Sequence, residues 1–337
     1  MEISNTALRM LEYMGRPGFM VRNAVVEYVN ADAAKYHIHP GMPLQQLLGE
    51  SMAQYDQFSE GCMRLSITVN ELSYPVTVER LEDFDLFLLD REDHAAQFRV
   101  LAMASQQLRV PLTGLMNTVG EDNPTVNRSL HQLHRVVSNM SDAMRYRIHR
   151  KPKLQTTELR GYMAALMESV IARSEQLPVN ITYCGLSEPL YCLIDDELLE
   201  RAVLNLISNS VKAGSHQIDI TLQLCKSVLT LTVTDDGRSV PSPLYSSMFE
   251  HFDREPGIGD AGYGLGLGMM MVQAAATAHK GTVLMQRPQE GGLRVTVTLS
   301  VMKGDSVMRA PIMMPDYLGG RDHVLTELSD ILPEDIY

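Results

Sequence analysis

The spacing of apolar residues changes along the chain, and the changes divide it. Near the N-terminus the pattern is short and alternating. Gly18-Phe19-Met20-Val21 and Ala24 to Val29 read as two strands turning near Arg22-Asn23, and Asn30 stands where it caps a short helix through Ala31 to Tyr36. Arg64 to Val69 and Tyr74 to Arg80 alternate across a polar turn at Asn70-Glu71, which predicts a hairpin, and Asp85 to Asp90 is a last strand. From Arg91 the period becomes helical. Phe98, Leu101, Ser105, Leu108, Leu112, Leu115 and Val119 lie alternately 3 and 4 apart, an a/d seam. Asn123 and Pro124 interrupt it as cap and first helical residue, and a second seam runs through Val126, Leu130, Leu133, Val137, Met140 and Met144. Two helices with narrow seams cannot bury them alone. Two copies make a four-helix bundle, so residues 91–150 predict a homodimer; the alternative is a hairpin packed on its own neighbouring domain.

Beyond a hinge-like Lys151-Pro152-Lys153, strands and helices mix. Thr157 is placed to cap a helix through Leu159, Met163, Leu166 and Val170. Strands follow at Val179–Tyr183 and Leu190–Ile194, then a helix over Asp196–Lys212. A hairpin of Gln217–Leu224 and Val228–Thr234 leads into Asp235-Asp236-Gly237. After Met248-Phe249-Glu250-His251-Phe252 comes Gly262-Tyr263-Gly264-Leu265-Gly266-Leu267-Gly268, four glycines at alternate positions running into an apolar helix at Met269–His279. Unpaired N–H groups and the positive end of the dipole make such a junction suited to phosphate. No Lys-Ser or Lys-Thr follows, so it is not a P-loop, and its position does not suit a dinucleotide fold. Asn205, Asn209 and Lys212, at i, i+4 and i+7, share one helix face: a site, or an exposed stripe. The tail is linker-like from Lys303 to Gly320. Val324, Leu325, Leu328, Ile331 and Leu332 then form a short amphipathic helix, to dock on its own domain or on a partner.

Composition narrows the partners. Across 337 residues the net charge is −12, against a nucleic-acid partner held by its phosphates, and 45% hydrophobic content supports packed cores. No run of 18 apolar residues predicts a membrane span, and the N-terminus has no signal-peptide pattern. Cys62, Cys184, Cys192 and Cys225 show no metal-type spacing and suit a reducing cytosol. His37 and His39 read as ordinary residues rather than ligands.

Two strands, short helices and three strands, with the phrase Val29-Asn30-Ala31-Asp32-Ala33-Ala34, resemble a PAS domain. Ser105-Gln106-Gln107-Leu108-Arg109-Val110-Pro111-Leu112-Thr113 resembles the phosphoacceptor box of sensor histidine kinases. In that register Gln106 stands at the phosphoaccepting histidine, Gln107 at the acid, and Val110 at the Thr or Asn used in dephosphorylation. Arg109 is expected on the surface. An amide nitrogen is not a nucleophile, so Gln106 cannot form a phosphoramidate. His94, 12 residues earlier, faces about 120° away from it, and His131, His134 and His149 read as solvated or packing residues. The four later segments resemble the N, G1, F and G2 boxes of the ATPase domain shared by histidine kinases, gyrase-type enzymes and some chaperones.

The resemblance implies ATP and Mg²⁺ as ligands. It places Mg²⁺ on Asn209, a second polar position at Asn205, a phosphate-side cation at Lys212, and the adenine amino group on Asp235. Gly237 lets the backbone approach the base, and Gly262, Gly264, Leu265, Gly266 and Leu267 close on the triphosphate. Ser239 and Ala213 depart from the usual glycine and aromatic, and Asn205 replaces the water-activating Glu of gyrase-type members. The expected fold is multidomain α+β. Residues 1–90 form a PAS-like α/β domain, 91–150 a hairpin making a dimeric four-helix bundle, 151–302 an α/β-sandwich ATPase domain, and 303–337 a tail. The implied function is cytosolic histidine-kinase-like signalling by a pseudokinase, with a response regulator or partner kinase as a separate protein. The rivals are an active kinase with another acceptor and a degenerate dimer without nucleotide.

Overall fold

The computed structural model describes residues 11–12, 16–59, 61–70, 72–81, 83–89, 95–118, 123–147, 152–238, 267–303 and 322–337. Strands β1 (Gly18–Arg22) and β2 (Val25–Val29) pair antiparallel, and the turn residues Asn23 and Ala24 both have positive φ, 52° and 58°. Two left-handed residues in succession give a hairpin turn the twist of its strands. Asn30 caps α1 (Ala31–Ala34), accepting from the Ala33 N–H at 2.9 Å. It also accepts from the Gly18 N–H and donates to the carbonyls of Leu11 and Arg16, so one buried amide uses both lone pairs and both hydrogens. After α2 (Leu44–Leu48) and α3 (Met52–Asp56) come β3 (Cys62–Val69), β4 (Leu72–Arg80) and β5 (Asp85–Leu89). The strand order is β2-β1-β5-β4-β3, every neighbour antiparallel. Phe19 stacks on Phe87 in its core, with Ile67, Val76 and Val78.

Helices α4 (Ala95–Thr118) and α5 (Pro124–Arg147) form the expected hairpin, and the Asn123 side chain accepts from the Val126 N–H at 3.1 Å. The predicted seams split. Ser105, Leu112, Leu130 and Val137 are buried, whereas Leu108, Leu115 and Leu133 remain 52%, 54% and 55% exposed. One row of each seam therefore packs within the chain, and the row between faces out. Arg109 is half-buried rather than on the surface, because its guanidinium reaches across to the Ser138 hydroxyl at 3.1 Å. His131 and His134 are buried; His94, His149 and Val119 lie outside the described residues.

The next segment is tied at its start. The Lys153 N–H donates to Asp195 at 2.8 Å, so Pro152-Lys153 is anchored rather than a free hinge. Thr157 sits in β6 (Gln155–Glu158) with its hydroxyl on Asp196, and Glu158, one residue later, caps α6 (Leu159–Ser174). The longer Glu side chain folds back onto the Arg160 and Gly161 N–H groups. Strands β7 (Asn180–Cys184) and β8 (Tyr191–Ile194), helix α7 (Asp196–Lys212), strands β9 (Gln217–Cys225) and β10 (Val228–Asp235), helix α8 (Leu267–Ala278), and strands β11 (Val283–Gln286), β12 (Leu293–Ser300) and β13 (Met302–Lys303) complete the unit. Ile218, Ile220, Leu222, Leu229, Leu231 and Val233 point alternately into one core beneath α6, α7 and α8.

The two sheets are continuous. Strand β3 pairs antiparallel with β11 through Met63 opposite Leu284 and its neighbours, giving a ten-stranded sheet; β6, β8 and β13 form a separate small one. Gly61 makes the joint possible. Its φ is +95°, and a Cβ there would lie 2.1 Å from the Met285 carbonyl oxygen. The tail helix α9 (His323–Glu327), capped by Asp322, docks on its own chain, with Val324, Leu328 and Leu332 in the same core as α7. Among the described residues no helix is long and apolar enough to cross a membrane.

Candidate nucleotide site

Helix α7 carries the polar stripe. Asp195 caps it by accepting from the Leu198 N–H, and Asp196 and Glu197 sit at the positive end of its dipole. Close to Asp195 the buried His279 accepts from that residue's N–H at 3.0 Å and holds the Ala275 carbonyl at 2.7 Å; burial keeps its imidazole below the usual histidine pKa and therefore neutral.

Asp235 ends β10 next to the C-terminal part of α7. One carboxylate oxygen accepts from the Ser210 hydroxyl at 2.8 Å, the other from the Gly237 N–H at 3.0 Å. Each oxygen keeps a lone pair for a further donor. Glycines line both flanks. A Cβ on Gly237 would lie 2.5 Å from the Ser215 hydroxyl and 2.9 Å from Ala213, so this glycine is needed for packing against the end of α7. Gly292 has φ +77°, and a Cβ there would meet the Asp235 carbonyl at 1.8 Å. The neighbouring Asp236 points away. The backbone N–H groups of Gln217 and His216 hold its carboxyl below the usual aspartate value.

The other end of the stripe is built differently. Asn205 is fully buried. It donates to the Arg201 carbonyl at 2.8 Å and accepts from the guanidinium of Arg135, on α5, at 3.2 Å. Gly268, in the first turn of α8, lies so close that a Cβ would sit 2.9 Å from the Asn205 side-chain oxygen. Asn209, half-exposed, makes no side-chain hydrogen bond among the described residues. Lys212 donates to Asp330 of the tail at 2.5 Å. The structure thus brings Asn205, Asn209 and Lys212 to one face of α7, with Asp235 and Gly237 beyond its C-terminal end. Leu267 begins α8. Gly262, Gly264, Leu265 and Gly266, the Phe252–Gly262 lid, Met248–Phe252 and Ser239 lie outside the described residues.

Sequence reasoning missed the residues that reach this face from elsewhere. Arg135 is 5% exposed and binds four partners: Glu327 at 3.4 Å, Asp330 at 2.5 Å, and Asn205 and Ser208 at 3.2 Å each. Arg201 pairs with the other oxygen of Glu327 at 3.2 Å and with Asn139 of α5. Ser210 could have been found, since it follows Asn209 directly. Nothing in the local pattern points to Arg135, Glu327 or Asp330. Burial pushes the Asp330 carboxyl up, but Arg135, Lys212 and Arg128 outweigh it and hold it below the usual aspartate value.

The donor set suits a magnesium nucleotide. Among the described residues no group of three His, Cys, Asp or Glu side chains could hold a metal, so a cation here would rest on the Asn209 amide oxygen and the nucleotide's own phosphates.

Residues 194–303 match the family described as histidine kinase-, DNA gyrase B-, and HSP90-like ATPase. The chain is 25% identical over 224 residues to the sensor histidine kinase CpxA of Escherichia coli (strain K12), covering 62% of this chain and 48% of that protein. It is 27% identical over 287 residues to the sensor protein KdpD of the same strain, covering 78% and 30%. Among solved structures, full-length ShkA in complex with AMPPNP is similar at 21% identity and a TM-score of 0.46, covering 63% of this chain and 48% of that one. Residues 194–303 thus carry an ATPase domain of this type in the C-terminal half of the chain, and the chain as a whole is similar to sensor histidine kinases. It spans about half the length, or less, of these curated relatives.

Proposed function

We propose that the chain is a histidine-kinase-like signalling protein that binds Mg-ATP but is a pseudokinase. The observation that carries this reading is Gln106, in helix α4 and matched by the resemblance to the phosphoaccepting histidine, in a chain that carries a histidine kinase-like ATPase domain. The other described histidines of the hairpin do not replace it. His131 is buried with its ring on Tyr337 and a nitrogen 2.7 Å from the Thr326 hydroxyl, and His134 is buried beside Ser138.

In this reading Asp235 takes the adenine amino group on the lone pairs that Ser210 and Gly237 leave open. Asn209 supplies an oxygen to Mg²⁺, Asn205 and Lys212 face the phosphates, and residues 262–267 close over them. When bound, Mg²⁺ would neutralise phosphate charge. Residues 1–90 act as a PAS-like input domain, which the order β2-β1-β5-β4-β3 supports. The outward row of Leu108, Leu115 and Leu133 supports a homodimer through residues 91–150. Four free cysteines support a reducing cytosol, and a response regulator or partner kinase would be a separate protein.

The test is incubation of the purified chain with γ-labelled Mg-ATP, followed by assay for acid-labile phosphate. The expected result is Mg-ATP binding that Asn209→Ala abolishes, with no label on the parent chain. Label that disappears in Asn209→Ala would identify an active kinase with another acceptor. Absence of Mg-ATP binding would leave the degenerate dimer.

A further inference from the structure

We propose that the C-terminal segment 322–337 is an intrachain latch whose carboxylates compete with the nucleotide's phosphates for the α7 face. The proposal rests on the Mg-ATP reading above. Two of the three polar positions on that face are already taken from outside the ATPase domain. Asp330 occupies the Lys212 ammonium at 2.5 Å, and Arg135 occupies the Asn205 side-chain oxygen at 3.2 Å. Only Asn209 keeps its amide unengaged among the described residues. The two engagements form one network, because Asp330 and Glu327 both bind Arg135, and Glu327 also binds Arg201. A phosphate oxygen needs the same donors that Asp330 uses, so the nucleotide and the latched segment weaken each other reciprocally.

The latch also holds the bundle. Besides Arg135, helix α5 meets the segment at Thr125 with Glu334, Asn127 with the Tyr337 carbonyl, Arg128 and Gln132 with the Ser329 carbonyl, and His131 with Thr326. On the other side the segment is pinned to the ATPase domain by Arg173 with Asp322, His323 with Glu200, and the buried Val324, Leu328 and Leu332. Releasing Asp330 from Lys212 therefore loosens α5 from α7. A chain without an acceptor histidine thereby gains a way to turn nucleotide occupancy into a change in the hairpin that a partner can read.

The test uses the full chain and Mg-ATP, with affinity measured by calorimetry and protection of residues 322–337 by amide exchange. Asp330→Asn removes the charge and keeps the shape. It is expected to tighten Mg-ATP by about 1.5-fold to fivefold, the range of a half-exposed ion pair. That gain shrinks in a Lys212→Ala background, and saturating Mg-ATP raises exchange across 322–337 in the parent. Unchanged affinity in both Asp330→Asn and Asp330→Ala, or exchange indifferent to Mg-ATP that does bind, overturns the latch and leaves the nucleotide reading intact. If neither the parent nor the variants bind Mg-ATP, with circular dichroism unchanged, the nucleotide reading fails and the competition falls with it.

Discussion

The two ends of the α7 face differ in where their contacts come from. Around Asp235 the partners are near in sequence: Gly237 is 2 residues away and Ser210 is 25. Around Asn205 and Lys212 they are remote, with Arg135 70 residues from Asn205 and Asp330 118 from Lys212. The first end is assembled by the folding of one domain. The second depends on how the hairpin and tail dock against it.

The sharpest way to break this contrast is Arg135→Ala. Among the described residues Glu327, 1% exposed, would keep only Arg201 as an ion-pair partner, and Asn205 and Ser208 would each lose a donor. Removing one member of a buried ionic cluster costs about 3–5 kcal/mol. Thermal unfolding followed by circular dichroism should show the largest loss of the set, and an unshifted melting curve would mean that the remote contacts carry no stability. Asp235→Ala comes next. It should weaken Mg-ATP by about 30-fold, or about 2 kcal/mol for a hydrogen bond to a charged group, with little change in the protection of 322–337 in the absence of nucleotide. Loss of that protection would show that the two ends are coupled after all. Ser210→Ala removes one local partner of Asp235, for about 1 kcal/mol and a roughly fivefold weaker Mg-ATP titration.

The smallest effect is in pH. Because the folded Asp330 carboxyl is held below the ordinary aspartate value of about 3.9, its contribution is present above that value and is lost as pH falls through its lower folded value. The protection of 322–337, exchange corrected for its intrinsic pH dependence, should therefore be unchanged between about pH 5 and 8, and fall only below the ordinary aspartate range. Loosening already at pH 6 would show that Asp330 does not control the segment.

Much of this was readable without coordinates. The caps Asn30 and Asn123, the seams of α4 and α5, helix α7 at its bounds, and the juxtaposition of Asn205, Asn209 and Lys212 all follow from local spacing. Thr157 failed as a cap because strand pairing with β8 held it extended, leaving the next residue at the helix start. The seam reading caught the apolar positions but not their division, since Leu108 and Leu112 carry the same pattern and only packing decides which faces α5.

The sequence by itself determined the elements, because periodicity, capping and turn chemistry act over a few residues. It also determined that position 106 offers no nucleophile, since the amide nitrogen of Gln106 is not one in any fold. The tertiary structure alone decided that β3 joins β11, that the tail returns to its own chain, and that Arg135, Glu327 and Asp330 meet at α7. Edge-strand hydrogen bonds come from backbone that every residue carries, and a buried charge is stabilised only by the partners that packing brings to it. Neither leaves a mark in the local pattern of residues.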